Sequence, residues 1–132
     1  MIKAVLDTNI LISSLFWKGA PYEIVQKGIG GAFIIILSPE IIRETEDKLK
    51  NKFKFSVENT NAFLEVVALN SFIVEPMIKL RIVKADSTDD KIIECAVAGN
   101  VDYIVSGDKH LLNIKKHEQI NIITPSKFLK LL

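Results

Sequence analysis

Four short apolar runs constrain the fold of this chain more than any other feature: IKAVL at residues 2–6, FIIIL at 33–37, DYIVS at 102–106 and INIIT at 120–124. A strand with one wet face alternates apolar and polar residues, because successive side chains point to opposite faces. These runs are near-continuously apolar instead. Rich in Ile and Val, they suit strands covered on both faces, as in a parallel sheet flanked by helices. The longest uncharged run, AFIIIL from Ala32 to Leu37, falls far below the roughly 20 residues that a helix needs to cross a bilayer. A basic stretch followed by an apolar core and a cleavage site is also missing, so the expectation is a cytoplasmic protein without membrane contact.

Between the runs lie longer stretches with helical spacing, each with its own start signal. Ser38 before Pro39 reads as N-cap and first helical position of PEIIRETEDKLKNKF (39–53), whose stripe is Ile42, Thr45, Leu49 and Phe53. Ser56 opens VENTNAFLEVVALN. Ser87 and Asp90 form a capping pair ahead of KIIECAVA, and Gly99-Asn100 stops that helix. A last short helix starts after Pro125. Strands alternating with helices imply parallel crossovers, so the expected architecture is a three-layer α/β/α fold around a central, mainly parallel, twisted sheet. KGIGG (27–31) precedes a strand and lacks the Gly-Lys-Ser/Thr of a phosphate loop, so it reads as a helix-to-strand turn.

Composition narrows the partners. With 132 residues, 48% of them apolar and 25% charged, the chain is expected to form a single domain over residues 1–132. A net charge of +1 and a pI near 7.8 give no electropositive field over the whole molecule, so any contact with nucleic acid has to be local. Cys95 is the sole cysteine, which excludes disulfides and thiolate metal sites; its place in IIECAVA is that of a small buried apolar residue.

The chemistry lies in acids that this topology would bring together. In an open parallel sheet, ligands gather beyond the carboxyl ends of the strands. Asp7 ends the first strand and Asp108 comes just after DYIVS. The helix after Ser38 leaves the same edge with Glu40, Glu44, Glu46 and Asp47, and Asp86, Asp89 and Asp90 cluster where another helix opens. Taken singly, each has a plain role as a cap or a solvated side chain. Convergence from separate segments asks for more: two unit charges about 4 Å apart repel by about 4 kcal/mol at an effective dielectric of about 20, so such a rim calls for a cation. Oxygen ligands suit Mg2+ or Mn2+, whereas His110 and His117 lack a ligand spacing for softer metals. Beside a phosphate, a hard ion lowers the pKa of a water and neutralises charge on the leaving oxygen, which is the chemistry of phosphodiester hydrolysis.

Four motifs in order carry a resemblance: VLDTNILIS, LSPEIIRETEDKL, DSTDDKIIECAVAGNVDYIVSGDKHLL and IITPSKFL. Together, from Ile2 to about Pro125, they resemble the PIN-domain nucleases, in particular the toxin-like members of type II toxin-antitoxin modules. The resemblance implies a ribonuclease that cleaves single-stranded RNA with Mg2+ or Mn2+, often as a homodimer and with an antitoxin protein as partner. Matched position by position, it implies that Asp7, Glu44, Asp90 and Asp108 are the catalytic acids. Asp7, Asp90 and Asp108 would bind the metal, with Glu44 as a further ligand or as base for the attacking water.

Asn9 and Ser106 match polar positions that hold a metal-bound water or orient a carboxylate, and Asp86 and Asp89 fall beside the third acid as supporting residues. Asp89 and Asp90 both remain open as the ligand. Glu44 and Glu46 flank the apolar stripe on opposite sides, so helical geometry alone does not choose between them; the resemblance does. Lys109 and His110, with Lys48 and Lys50 of the basic run KLKNKFK, are candidate phosphate contacts, although lysines near a helix C-terminus are also commonly solvated. Leu15, Phe16 and Trp17 offer an apolar patch to a second copy or to an antitoxin peptide.

Other folds that place Asp after a first strand fit worse. A phosphatase of the haloacid dehalogenase type needs a second Asp two residues on, where this chain has Asn9, and a receiver domain needs Asp at the end of a central strand, where FIIIL is followed by Ser38. The reading from a different class is a PIN-fold protein that binds an antitoxin, RNA or a larger assembly with little turnover.

Overall fold

The computed structural model describes residues 1–77 and 90–132. Along the chain lie β1 (Lys3–Leu6), α1 (Thr8–Phe16), α2 (Ala20–Ile29), β2 (Ile34–Leu37), α3 (Pro39–Asp47), a π-helical turn (Lys48–Lys52), α4 (Val57–Leu69) and β3 (Ser71–Ile73). After these come α5 (Asp90–Gly99), β4 (Tyr103–Val105), α6 (Lys109–Ile114), β5 (Lys116–His117), β6 (Ile120–Ile123) and α7 (Pro125–Leu129). The sheet order is β3-β2-β1-β4-β6-β5, and every neighbouring pair is parallel except β5 with β6.

Two consecutive isoleucines of β2 show how the three layers close. Side chains alternate across a strand, so Ile35 and Ile36 point to opposite faces. A Cβ placed on Gly28 of α2 would stand 2.5 Å from Ile35 Cδ1, and one on Gly99 of α5 would stand 2.6 Å from Ile36 Cγ2. Each helix therefore seats itself through a glycine, α2 on one face and α5 on the other. Between them Ala4, Val5, Leu6, Ile35, Leu37, Ile104 and Val105 lose all contact with water, each larger side chain contributing about 1.5–3 kcal/mol of burial. Continuous apolar strands are the consequence of this double cover.

Register locates the functional edge. Val5 of β1 pairs with Ile36 on one side and Ile104 on the other. The chain runs outward from β1 through β2 to β3, then returns to the far side of β1 as β4. The order reverses at β1 and β4, and in open α/β sheets the ligand crevice lies beyond the carboxyl ends of the strands at such a point.

Ser38 and Ser56 cap their helices as expected, and Thr124 caps α7. Ser38 Oγ accepts from Ile41 N at 3.3 Å, Ser56 Oγ from Asn59 N at 3.0 Å and Thr124 Oγ1 from Lys127 N at 3.3 Å, each satisfying an end-of-helix donor. KGIGG ends α2 and turns toward β2, with Lys27, Gly28 and Ile29 still in the helix, Gly30 as its C-cap and Gly31 at φ +89°. Gly99-Asn100 ends α5, Asn100 taking φ +50°.

Three features depart from the sequence expectation. The helix after Ser38 remains α-helical only to Asp47 and then widens into the π turn, with Phe53 N donating to Lys48 O at 3.1 Å. The extra residue rotates the chain beyond it off the stripe. Ile41, Thr45 and Leu49 are buried, Ile42 is half-buried, and Phe53 is exposed. Beyond the four expected strands, β3 and β5 extend the two edges of the sheet, and Phe72 and Ile73 of β3 remain exposed. Asp102 lies outside the strand, its carboxylate accepting from Lys3 N at 2.9 Å. Ser87, Asp86 and Asp89 lie outside the described residues, and Asp90 is the first residue of α5. Among the described residues no helix is long and apolar enough to cross a membrane.

Candidate active site at the carboxyl rim

Asp7 sits where β1 hands over to α1, which answers why a carboxylate interrupts two apolar runs. Its N–H donates to Val105 O at 3.1 Å, extending the β1–β4 ladder by one residue, and its C=O accepts from Ile10 N at 2.9 Å to start the helix. The backbone is thus consumed by two elements, and the side chain is held over the crevice between them. Only 5% of Asp7 is exposed.

Ser106 fixes that carboxylate. Fully buried, it lies just past β4 and is tied to β6 by its N–H, which donates to Ile123 O at 3.0 Å. Its hydroxyl donates to Asp7 Oδ2 at 2.7 Å and accepts from Asp108 N at 3.0 Å. One buried hydroxyl therefore links the ends of β1 and β4 and sets the backbone position of the next acid. Asp108 is the N-cap of α6, with Oδ1 accepting from His110 N at 2.8 Å.

Electrostatics tie a third acid to the pair. The Asp7 carboxyl is raised above its ordinary value of 3.8, chiefly by burial; the Ser106 hydroxyl opposes this, the charges of Asp108 and Glu44 add to it, and the N–H of Asn9 opposes it. Glu44 on α3 thus bears on Asp7, whereas Glu46 is not among the groups acting there. Glu44 itself pairs with Lys48 at 3.2 Å, and Glu46 with Lys50 at 3.1 Å. Lys48 and Lys50, expected as phosphate contacts, are therefore engaged with helix carboxylates. Lys109 and His110 are exposed at the start of α6, immediately beyond Asp108.

Asp90 is 5% exposed at the amino end of α5, a helix packed on β1, β2, β4 and α3. Because α5 leads into β4 by a parallel crossover, that end lies toward the carboxyl rim. The sequence reading gave no role to Thr8 and none of its own to Glu40. Thr8 Oγ1, beside Asp7 in the chain, and Glu40 Oε2 on α3 are buried with no partner among the described residues. Glu40 also bears on Cys95, whose buried thiol meets the Ser38 side chain and is pushed up to about 12, mainly by burial. That thiol is a packing element rather than a nucleophile.

The donor set is made of hard oxygens: Asp7 with Asp108 and Glu44 bearing on it, the Ser106 hydroxyl, and Asp90 opening α5. A buried carboxylate raised by burial and by two further acids fits a divalent cation, which would reverse that unfavourable field. Among the described residues, however, no three His, Cys, Asp or Glu side chains are gathered closely enough to hold an ion between them.

Comparison with known proteins agrees with this architecture. The sequence model of the family described as PIN domain matches residues 3–110. Among curated proteins, none matches the sequence significantly. Six chains of solved structures match. One comes from the crystal structure of VapBC2 from Rickettsia felis bound to a DNA fragment from their promoter; with a TM-score of 0.65 and 17% identity, the match covers 93% of this chain and 98% of that one. At that identity the likeness is one of fold.

Proposed function

The chain belongs to the PIN domain family, a family of nucleases, and from that premise we propose that it is a metal-dependent endoribonuclease of single-stranded RNA, the toxin component of a toxin-antitoxin module. The observation that carries the reading is the Ser106 bridge between Asp7 and the Asp108 backbone at the β1–β4 crevice, with the charges of Asp108 and Glu44 bearing on Asp7. The likeness in fold to a chain of VapBC2 supports the toxin-antitoxin setting. An antitoxin protein, a homodimer and a cytoplasmic location belong to the same proposal.

Asp7, Asp90 and Asp108 would hold Mg2+ or Mn2+, the kind of divalent ion that PIN-domain nucleases generally use. When bound, the ion supplies Lewis-acid polarisation of the phosphate and a lowered pKa for the attacking water. Ser106 orients the Asp7 carboxylate by donating to Oδ2, so Asp7 needs little rearrangement before it acts. Glu44, paired with Lys48, is a further ligand or takes the proton of the attacking water. Lys109 and His110 stand where a phosphate beside Asp108 would pass. Asn9 and, outside the described residues, Asp86 and Asp89 have supporting places.

A second reading, a PIN-fold binding protein with little turnover, is favoured by one observation: no three ligating side chains are gathered among the described residues. Incubation of the purified chain with single-stranded RNA separates the two. Cleavage with Mg2+ or Mn2+, lost in EDTA and reduced by about 100-fold or more in Asp7→Asn, is expected. RNA that survives intact at every metal concentration would leave only the binding protein.

A further inference from the structure

We propose that the aromatic corner at the outer end of α1 is a stacking platform for single-stranded nucleic acid, gripping the strand on one side of the cut; this rests on the nuclease reading above. Phe16 stacks on Phe53, with centroids 5.3 Å apart and planes inclined by 28°, and meets the edges of Trp17 at 5.8 Å and Phe55 at 5.7 Å. The π turn makes this cluster. Its extra residue takes Phe53 off the buried stripe and delivers it to the end of α1 instead.

A core would hide these rings, yet Trp17 is 64% exposed and Phe16 and Phe53 are 37% exposed. Lysine charge lies beside them. Lys50 is tied to Glu46 and Lys48 to Glu44, while Lys52 and Lys54 form no ion pair among the described residues, and Lys52 Nζ lies 5.7 Å from the centroid of Phe53. Exposed aromatic rings beside lysines without an ion pair among the described residues are complementary to one kind of polymer, whose bases stack and whose phosphates neutralise.

Two other occupants fit less well. A second copy docked about a two-fold axis through the corner would set Lys52 and Lys54 near their own counterparts, like charge against like. A purely apolar peptide would cover the rings and leave the lysine charge unanswered. The corner is also placed for the role: α1, Thr8–Phe16, is nine residues long, and at about 1.5 Å per residue its two ends lie about 14 Å apart, so the corner and the acid rim are within reach of the same strand. The platform binds the flank of the substrate and takes no part in bond breaking.

Trp17 is the sole tryptophan, so its emission reports on the corner directly. The full chain in EDTA, where no cut is made, is titrated with a single-stranded oligoribonucleotide of about 12 nucleotides and with an abasic oligomer carrying the same phosphates. Saturable quenching by the first and not the second is expected, weakened about tenfold in Phe53→Ala. With metal, Trp17→Ala should raise KM for a long substrate about tenfold, leave kcat within about twofold, and leave cleavage of a dinucleotide unchanged.

Absent quenching, quenching shared by the abasic oligomer, or an unchanged KM in Trp17→Ala each overturns the platform, even where RNA is cut. Base-dependent quenching in a protein that cuts nothing supports the platform and removes the nuclease reading. Should Trp17→Ala convert a sedimenting dimer to monomer while oligonucleotide leaves the emission unmoved, the corner belongs to a second copy and the proposal fails.

Discussion

The two ends of α1 carry opposite unmet demands. At its start, Asp7 is buried, feels two further carboxylates and is raised by both burial and their charge. At its finish, Trp17 is mostly exposed and Phe16 partly so, beside lysines that lack ion pairs among the described residues. Folding satisfies neither end, but the cost differs. The inner end stores like-charge repulsion in a place water barely reaches, whereas the outer end is wetted and costs the fold little. Removing an inner acid should therefore stabilise the metal-free fold while harming activity, and removing an outer ring should leave the fold alone while weakening substrate binding.

The sharpest way to break this contrast uses α3, where two glutamates make equivalent pairs with lysines four residues on, at 3.2 and 3.1 Å. Glu44 alone of the two bears on Asp7. Glu44→Gln should slow RNA cleavage by about 100-fold or more, the range for a positioned acid or base, while Glu46→Gln stays within about twofold. Each loses one half-exposed pair worth about 0.3–0.5 kcal/mol. Only Glu44→Gln also removes repulsion from Asp7, so without metal it should lose less stability than Glu46→Gln. Equal losses of rate would mean that α3 contributes charge without contributing position.

Metal response tests the inner end as a shared site. Asp108→Asn keeps the cap of α6, because an amide oxygen can accept from His110 N as the carboxylate does. Neutralising it removes repulsion from Asp7, so the variant should melt above wild type in EDTA. Wild type should gain about 2.7 kcal/mol at a metal concentration about 100 times its dissociation constant, and the variant distinctly less. Identical metal responses at constant ionic strength would make the acids unrelated surface charges.

Acid supplies a smaller effect of known sign. A carboxyl whose folded pKa lies above its unfolded value takes up its proton first in the native state, so native stability rises as pH falls through the raised value and levels off below 3.8. Metal-free wild type should gain stability over that window relative to Asp7→Asn, in which this contribution is absent. Bound cation competes with the proton, so the gain should shrink when metal is present. Denaturant melts of both proteins across that pH range read it, and parallel curves would place Asp7 in water.

Features legible in the sequence are those whose information is local. IKAVL and FIIIL announce doubly covered strands because their apolar residues run on without polar alternation, and Ser38-Pro39 and Ser56 announce helix starts because a cap acts within three residues. Asp7 and Asp108 were legible as positions at a strand end, since each comes just after an apolar run. The π turn was not: its geometry depends on where Leu49 is buried and where Phe53 finds Phe16, contacts between segments more than 30 residues apart in the chain. The two short edge strands also escaped, because Ser71–Ile73 is held by pairing to β2 rather than by its own pattern. Thr8 and Glu40 gave no signal, since a missing partner is a property of the packed state.

The smallest expected effect bears on the outer end. Leu11 lies on the buried face of α1 with no exposure, and Trp17, just past the same helix, is 64% exposed. Truncating Leu11 to Ala removes packed methyl groups and leaves a cavity, at about 2–5 kcal/mol. Truncating Trp17 removes a ring that meets Phe16 edge to face and is mostly wet, so Trp17→Ala should stay within about 0.5 kcal/mol of wild type in urea unfolding. A clustered aromatic patch that adds little to the fold is the kind of surface that meets a partner. A loss of about 2 kcal/mol or more in Trp17→Ala, on the scale of a core truncation, would show that the corner is a satellite core, and the contrast between the two ends of α1 would reduce to one of burial alone.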